Sequence, residues 1–133
     1  MPPLPLEHIA FNIADPRRAA AWYVRNLGMR IVRESASPPY IHFLADAGGA
    51  MLIELYNNPP DDVPAYGHMD PLQLHVAFSA ADPDGARAQL EAAGATFVEE
   101  RQAPDGSRLL MLRDPWGLCI QLCKRVTKLS PLP

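Results

Sequence analysis

The chain has 133 residues, enough for one ordinary core and too few for two independent domains. Hydrophobic residues make up 48% and charged residues 20%, the balance of a soluble globular protein, and no run approaches the roughly 18 apolar residues of a membrane span. Net charge is −3, from 12 Lys and Arg against 15 Asp and Glu with no basic cluster, which argues against nucleic acid and anionic membranes as partners.

The opening Met1-Pro2-Pro3-Leu4-Pro5 lacks the basic and apolar segments of a signal peptide, so a cytoplasmic location is expected. A strand-like run, "LEHIAFNI", follows, and Asp15-Pro16 then opens a helix. Asp is a good N-cap, and Pro fits the first helical position because its missing N–H costs nothing there. This helix carries Ala20, Tyr23, Val24 and Leu27 on one stripe and stops at Gly28. Strands are expected at Met29–Arg33, Tyr40–Leu44 and Met51–Tyr56, with a turn in "DAGG" at 46–49. Residues 59–71, "PPDDVPAYGHMDP", have prolines without periodicity and read as a linker.

In "LQLHVAFSAADP", residues 72–83, Leu72, Leu74, Val76 and Phe78 alternate with Gln73, His75, Ala77 and Ser79. The alternation reads as a strand with His75 on its less apolar face. Asp82-Pro83 opens a second helix with Ala86, Leu90 and Ala93 on one side and Gly94 at its end. Strands are then expected at Thr96–Glu99, Leu109–Leu112 and Leu118–Cys123, with "DPWG" turning the chain at 114–117.

The chain repeats itself with an offset of 67 residues. His8 matches His75, Phe11 matches Phe78, and Ala14-Asp15-Pro16 matches Ala81-Asp82-Pro83. Each half reads β-α-β-β-β: module one spans about 4–58 and module two about 72–125, within a single domain of residues 1–133. One module cannot bury both faces of its sheet, so two pair side by side, either within one chain or between two chains. The same offset relates Glu54 to Gln121 in the last strand of each half. A carboxylate flanked by Leu52, Ile53, Leu55 and Tyr56 is costly unless paired, protonated or bound to metal. Cys119 and Cys123 are four apart in a strand, about 13 Å at 3.3 Å per residue, too far for a disulfide. They read as free thiols of a reducing compartment.

"LEHIAFNI", "AWYVRNLGMRIV", "MLIELYNNP", "LHVAFSA" and "RDPWGLCIQL" together resemble the vicinal oxygen chelate superfamily over Leu6 to Arg125. That superfamily includes glyoxalase I, methylmalonyl-CoA epimerase, extradiol dioxygenases and the fosfomycin and bleomycin resistance proteins. The resemblance implies an α+β fold of two βαβββ modules, with paired curved mixed sheets around a metal cleft and helices on the outer face. It puts His8, Glu54, His75 and Gln121 at the family's metal positions. Two imidazoles, a carboxylate and an amide leave two octahedral positions open and suit one divalent Ni, Co, Fe, Mn or Zn ion. The implied activity is that of a metal-dependent lyase or isomerase/epimerase. It would act on a small oxygenated substrate through a stabilised enolate or oxyanion, with Glu54 as the base. Gln121 stands where glyoxalase I has a glutamate base, which keeps two alternatives open: a metal-free binder like the bleomycin resistance proteins, and an Fe(II) ring-cleaving dioxygenase.

For substrate, Asn58 matches an asparagine that contacts glutathione in glyoxalase I, whereas Asn12 replaces an arginine that helps bind its carboxylate. His42 reads as a cleft-lining or ordinary strand histidine, and His68 is set aside because Asp70-Pro71 ends any strand at once. Apolar stretches such as "LHVAF" and "MLIEL" lead to the expectation of a homodimer.

Overall fold

The computed structural model describes residues 1–49 and 52–129, which form two compact units, Met1–Pro64 and Ala65–Pro133. The first contains β1 (His8–Asn12), α1 (Pro16–Leu27), β2 (Arg30–Glu34), β3 (His42–Ala45) and β4 (Leu52–Tyr56). The second begins with a 3₁₀ turn at Tyr66–His68 and continues as β5 (Val76–Ser79), α2 (Pro83–Ala92), β6 (Thr96–Gln102), β7 (Arg108–Arg113) and β8 (Cys119–Lys124). The βαβββ reading holds in both units, and the class is α+β.

Each unit builds one four-stranded mixed sheet, ordered β1-β4-β3-β2 in the first and β5-β8-β7-β6 in the second. The first strand of each module runs parallel to the last, and the remaining pairs are antiparallel. A parallel pair needs a crossover, and the helix supplies its start. Asp15 caps α1 by accepting from the Arg18 amide, and Asp82 caps α2 by accepting from the Gly85 amide. Gly28 closes α1 at φ +67°, a left-handed position that suits glycine.

The helices pack on one face of their own sheets, α1 on β2, β3 and β4 and α2 on β6, β7 and β8. In the first unit Ala19, Ala20 and Tyr23 of α1 are buried, as are Leu44, Ile53 and Leu55 of the sheet. In the second unit Leu90, Leu110, Leu112, Ile120 and Leu122 are almost wholly buried.

Some strand limits differ from the sequence reading. β3 begins at His42 because Tyr40 has φ +58°, outside the strand region; the Arg17 guanidinium lies 4.1 Å from its ring centroid. β5 begins at Val76 because residues 71–73 turn, so the four-residue lead from Leu72 is not strand. Met51, expected to open β4, lies outside the described residues. The β2–β3 register skips Val32 and the β6–β7 register skips Val98, so the repeat extends to a bulge in each module.

The expected linker is divided between the units rather than free. Asn12 donates from Nδ2 to the carbonyls of Pro59 (2.9 Å) and Asp62 (3.2 Å), while its Oδ1 accepts from the Asn58 amide (2.9 Å). Arg113 donates to the carbonyls of Tyr66 (3.0 Å), Met69 (2.6 Å) and Gly117 (3.1 Å). Residues 58–62 therefore belong to the first module and residues 66–69 to the second.

Candidate functional site

Strand register decides which side chains of the first module share a face. β1 and β4 pair His8 with Leu52, Ala10 with Glu54 and Asn12 with Tyr56. Their neighbours Ile53 and Leu55 are buried on the helix side, so Glu54 sits on the other face. β3 adds Phe43, which pairs with Glu54 and stands edge-on to the His8 ring at 5.3 Å between centroids.

His8 is held at both nitrogens. Its Nδ1 lies 2.9 Å from Glu7 Oε1 and its Nε2 lies 3.9 Å from Glu54 Oε1. Glu7 can only accept, so Nδ1 carries a proton and Nε2 faces Glu54. The His8 and Glu54 side chains are 32% and 17% exposed, which leaves an approach to both. A cavity of about 310 Å³ is lined by Glu7, Val32, Arg33, Phe43 and Leu52, of which Glu7 and Phe43 also touch His8.

In the second module His75 stands one residue before β5, and its Nδ1 donates to the Pro71 carbonyl at 2.8 Å. As with His8, the ring is fixed through Nδ1. Gln121 pairs with Ala77 on one side and Met111 on the other and is buried. Its Oε1 accepts from the Cys123 thiol at 3.0 Å, and its Nε2 lies 3.6 Å from Met111 Sδ. Cys119 Sγ contacts the same sulfur at 3.8 Å. Both cysteines are free, and burial pushes both thiols up, so they are neutral donors at ordinary pH.

The remaining candidates fall elsewhere. Asn12 shares the Glu54 face, and its amide is engaged by the 58–62 segment. Asn58 is exposed at the end of that segment. His42 is buried opposite Leu55, on the helix side of the sheet and away from the Glu54 face. Its Nδ1 donates to the Tyr40 carbonyl at 2.7 Å and its Nε2 lies 3.3 Å from Glu34. His68 is exposed on the 3₁₀ turn. Sequence reasoning missed Glu7, Arg33, Phe43 and Met111. Phe43 and Met111 were within reach, since each lies one hairpin register across from a residue already singled out.

Neighbouring donors on one ion at about 2.0–2.2 Å stand roughly 3–3.6 Å apart, so His8 Nε2 and Glu54 Oε1, at 3.9 Å, would have to close by a few tenths of an ångström to share one. Glu7 on the far nitrogen holds the His8 ring in orientation. Among the described residues no three His, Cys, Asp or Glu side chains gather at ion-binding distances, so the pair is a two-donor half-site within its module.

The sequence profile of the Glyoxalase/Bleomycin resistance protein/Dioxygenase superfamily matches residues 6–122. The chain belongs to this superfamily. Solved structures of similar fold include a glyoxalase family protein from Bacillus cereus, 18% identical with a TM-score of 0.79 over 96% of this chain and 97% of that one. TnmS3, an antibiotic binding protein from Streptomyces sp. CB03234, is 20% identical with a TM-score of 0.72 over 93% and 98%. TioX from Micromonospora sp. ML1 is 26% identical with a TM-score of 0.64 over 91% and 100%. No curated protein matches the chain significantly. Among the described residues no helix is long and apolar enough to cross a membrane.

Proposed function

We propose that this superfamily member binds one divalent transition metal and acts as a lyase or isomerase on a small oxygenated substrate. His8 and Glu54 would hold the ion, and His75 and Gln121 are the donors offered by the second module. The observation that supports this best is the His8 ring, with Glu7 on Nδ1 and Nε2 turned to Glu54 at 3.9 Å. The metal, when bound, supplies Lewis-acid stabilisation of charge developing on a substrate oxygen. Glu54 is the half-site's carboxylate and the group able to take a proton from carbon beside a carbonyl. The Glu7–His8 bond keeps the imidazole from turning away, and Phe43 limits water on the same face.

Uptake of Ni, Co, Mn or Zn by untagged, chelator-stripped protein tests the reading. One equivalent per chain is expected, lost in His8→Ala and weakened about 10- to 100-fold when Glu7 is replaced by Gln, the usual effect of removing an outer partner. Equal loss in His75→Ala assigns the second histidine to the same ion. Protein that takes up no metal overturns the proposal.

A second reading is a metal-free binder of small molecules. It is favoured by Gln121, a neutral amide already engaged by Cys123 and Met111 at the repeat position of Glu54. A solved neighbour is described as an antibiotic binding protein, which is in keeping with that reading. Either way we propose a homodimer, supported by exposed apolar side chains on outer strands: Ile9 on β1, Ile31 and Val32 on β2, and Val98 on β6. Light scattering over a dilution series should give twice the chain mass; a single-chain mass throughout removes this part.

A further inference from the structure

We infer that the cavity beside His8 takes an amphipathic anion, with a carboxylate-like group on Arg33 and a flat apolar body against Phe43 and Leu52. This deepens the small-molecule reading above and rests on that reading alone, not on the metal. Three of the five lining side chains, Val32, Phe43 and Leu52, are apolar, and the two charged ones are Glu7 and Arg33. Glu7 is engaged by His8 Nδ1. Arg33 differs from five other arginines of this chain. Arg87 and Arg101 have acid partners, Arg108 has two, Arg113 is fixed on carbonyls and Arg17 lies over Tyr40. Among the described residues Arg33 has no such partner, yet it stands at a cavity wall. A guanidinium there is a preformed two-pronged donor for a carboxylate.

The backbone explains why Arg33 is aimed at the cavity. Register pairs Arg33 with Phe43, and Phe43 with Glu54, so all three share one sheet face. The bulge at Val32 lets two consecutive side chains, Val32 and Arg33, line the same space, where a regular strand would alternate them. The equivalent bulge in the second module leads to Glu99, which is paired with Arg101, so this device belongs to the first module alone. A volume of about 310 Å³ is at the low end for small-ligand pockets and suits a small ring system. Glu7, bound to His8, is the other charged lining residue and repels a second anionic group, which fixes the polarity: charge at Arg33, neutral oxygen or ring toward His8.

The experiment compares 2-naphthoate with 2-naphthamide, which share shape and differ in charge, by fluorescence titration of the full chain stripped of metal. Naphthoate should bind at least tenfold more tightly. Arg33→Gln, on the exposed strand β2, should remove that preference while leaving naphthamide unchanged, and Phe43→Ala should weaken both ligands. His8→Ala should keep the preference, which separates this proposal from metal binding: loss of metal uptake with the preference intact sinks only the metal reading. Equal affinities for the two probes, binding of neither, or a preference that survives Arg33→Gln would overturn the inference.

Discussion

Glu54→Gln is expected to lower turnover by about 10²- to 10⁴-fold, the usual contribution of a positioned general base. The reason is local. Glu54 is the carboxylate facing His8 Nε2, and its repeat partner in the second module is the neutral Gln121. The substitution keeps shape and hydrogen-bonding length at a half-buried position, so the fold and its unfolding midpoint should stay close to wild type. The first assay substrate is the hemithioacetal of methylglyoxal and glutathione, with metal content measured on the same samples. If Gln121→Glu raises turnover on this substrate, the chemistry is glyoxalase-like. Full activity in Glu54→Gln would remove Glu54 from the chemistry.

Gly117→Ala is expected to cost the largest amount of stability of any single methyl added to the chain. Gly117 has φ +93°, and a Cβ placed on it would lie 2.7 Å from the Gly67 amide nitrogen and 3.0 Å from the Gly67 Cα. Neither neighbour can rotate away, since both are backbone of the 3₁₀ turn that Arg113 holds through Tyr66 and Met69. Backbone strain of about 1–3 kcal/mol adds to overpacking of about 1–3 kcal/mol, giving roughly 2–6 kcal/mol in a urea titration. Gly106→Ala separates the two causes. Its φ is +92°, but its nearest neighbour would be the Val126 side chain at 3.7 Å, so only the backbone part should remain. Equal losses at both positions would show that contact with Gly67 is not what limits Gly117.

Much of the fold was legible because the repeat carries its own punctuation. Asp15-Pro16 and Asp82-Pro83 start helices through the same cap, and of the expected α1 stripe Ala20 and Tyr23 are buried while Val24 and Leu27 are half-buried. Alternation in β4 placed Glu54 opposite Ile53 and Leu55 correctly. The pattern failed where a turn resembles a strand. Leu72 and Leu74 alternate with polar residues, yet Asp70 Oδ1 accepts from the Leu72 amide and stops the pairing. Site residues outside the repeat were illegible for a related reason. Glu7 is adjacent to His8, and strand periodicity assigns adjacent residues to opposite faces; Glu7 reaches the imidazole because it lies just before β1 begins. Arg33 required knowledge of the bulge at Val32, which leaves no mark on hydrophobic periodicity. Gln121 was legible as the repeat partner of Glu54, but its sulfur neighbours come from a hairpin register that sequence alone did not specify.

The way the linker is fastened also says where this chain can be reopened. Asn12 secures it up to Asp62, Ala65 accepts from the His68 amide, and Arg113 secures it from Tyr66 onward. Val63 and Pro64 are the seam between these two fastenings. New termini for a circular permutant, or an inserted tag, belong at that seam, because an opening there removes neither Asn12's hydrogen bonds nor Arg113's. The same insertion two residues to either side would detach a carbonyl that one of those side chains holds.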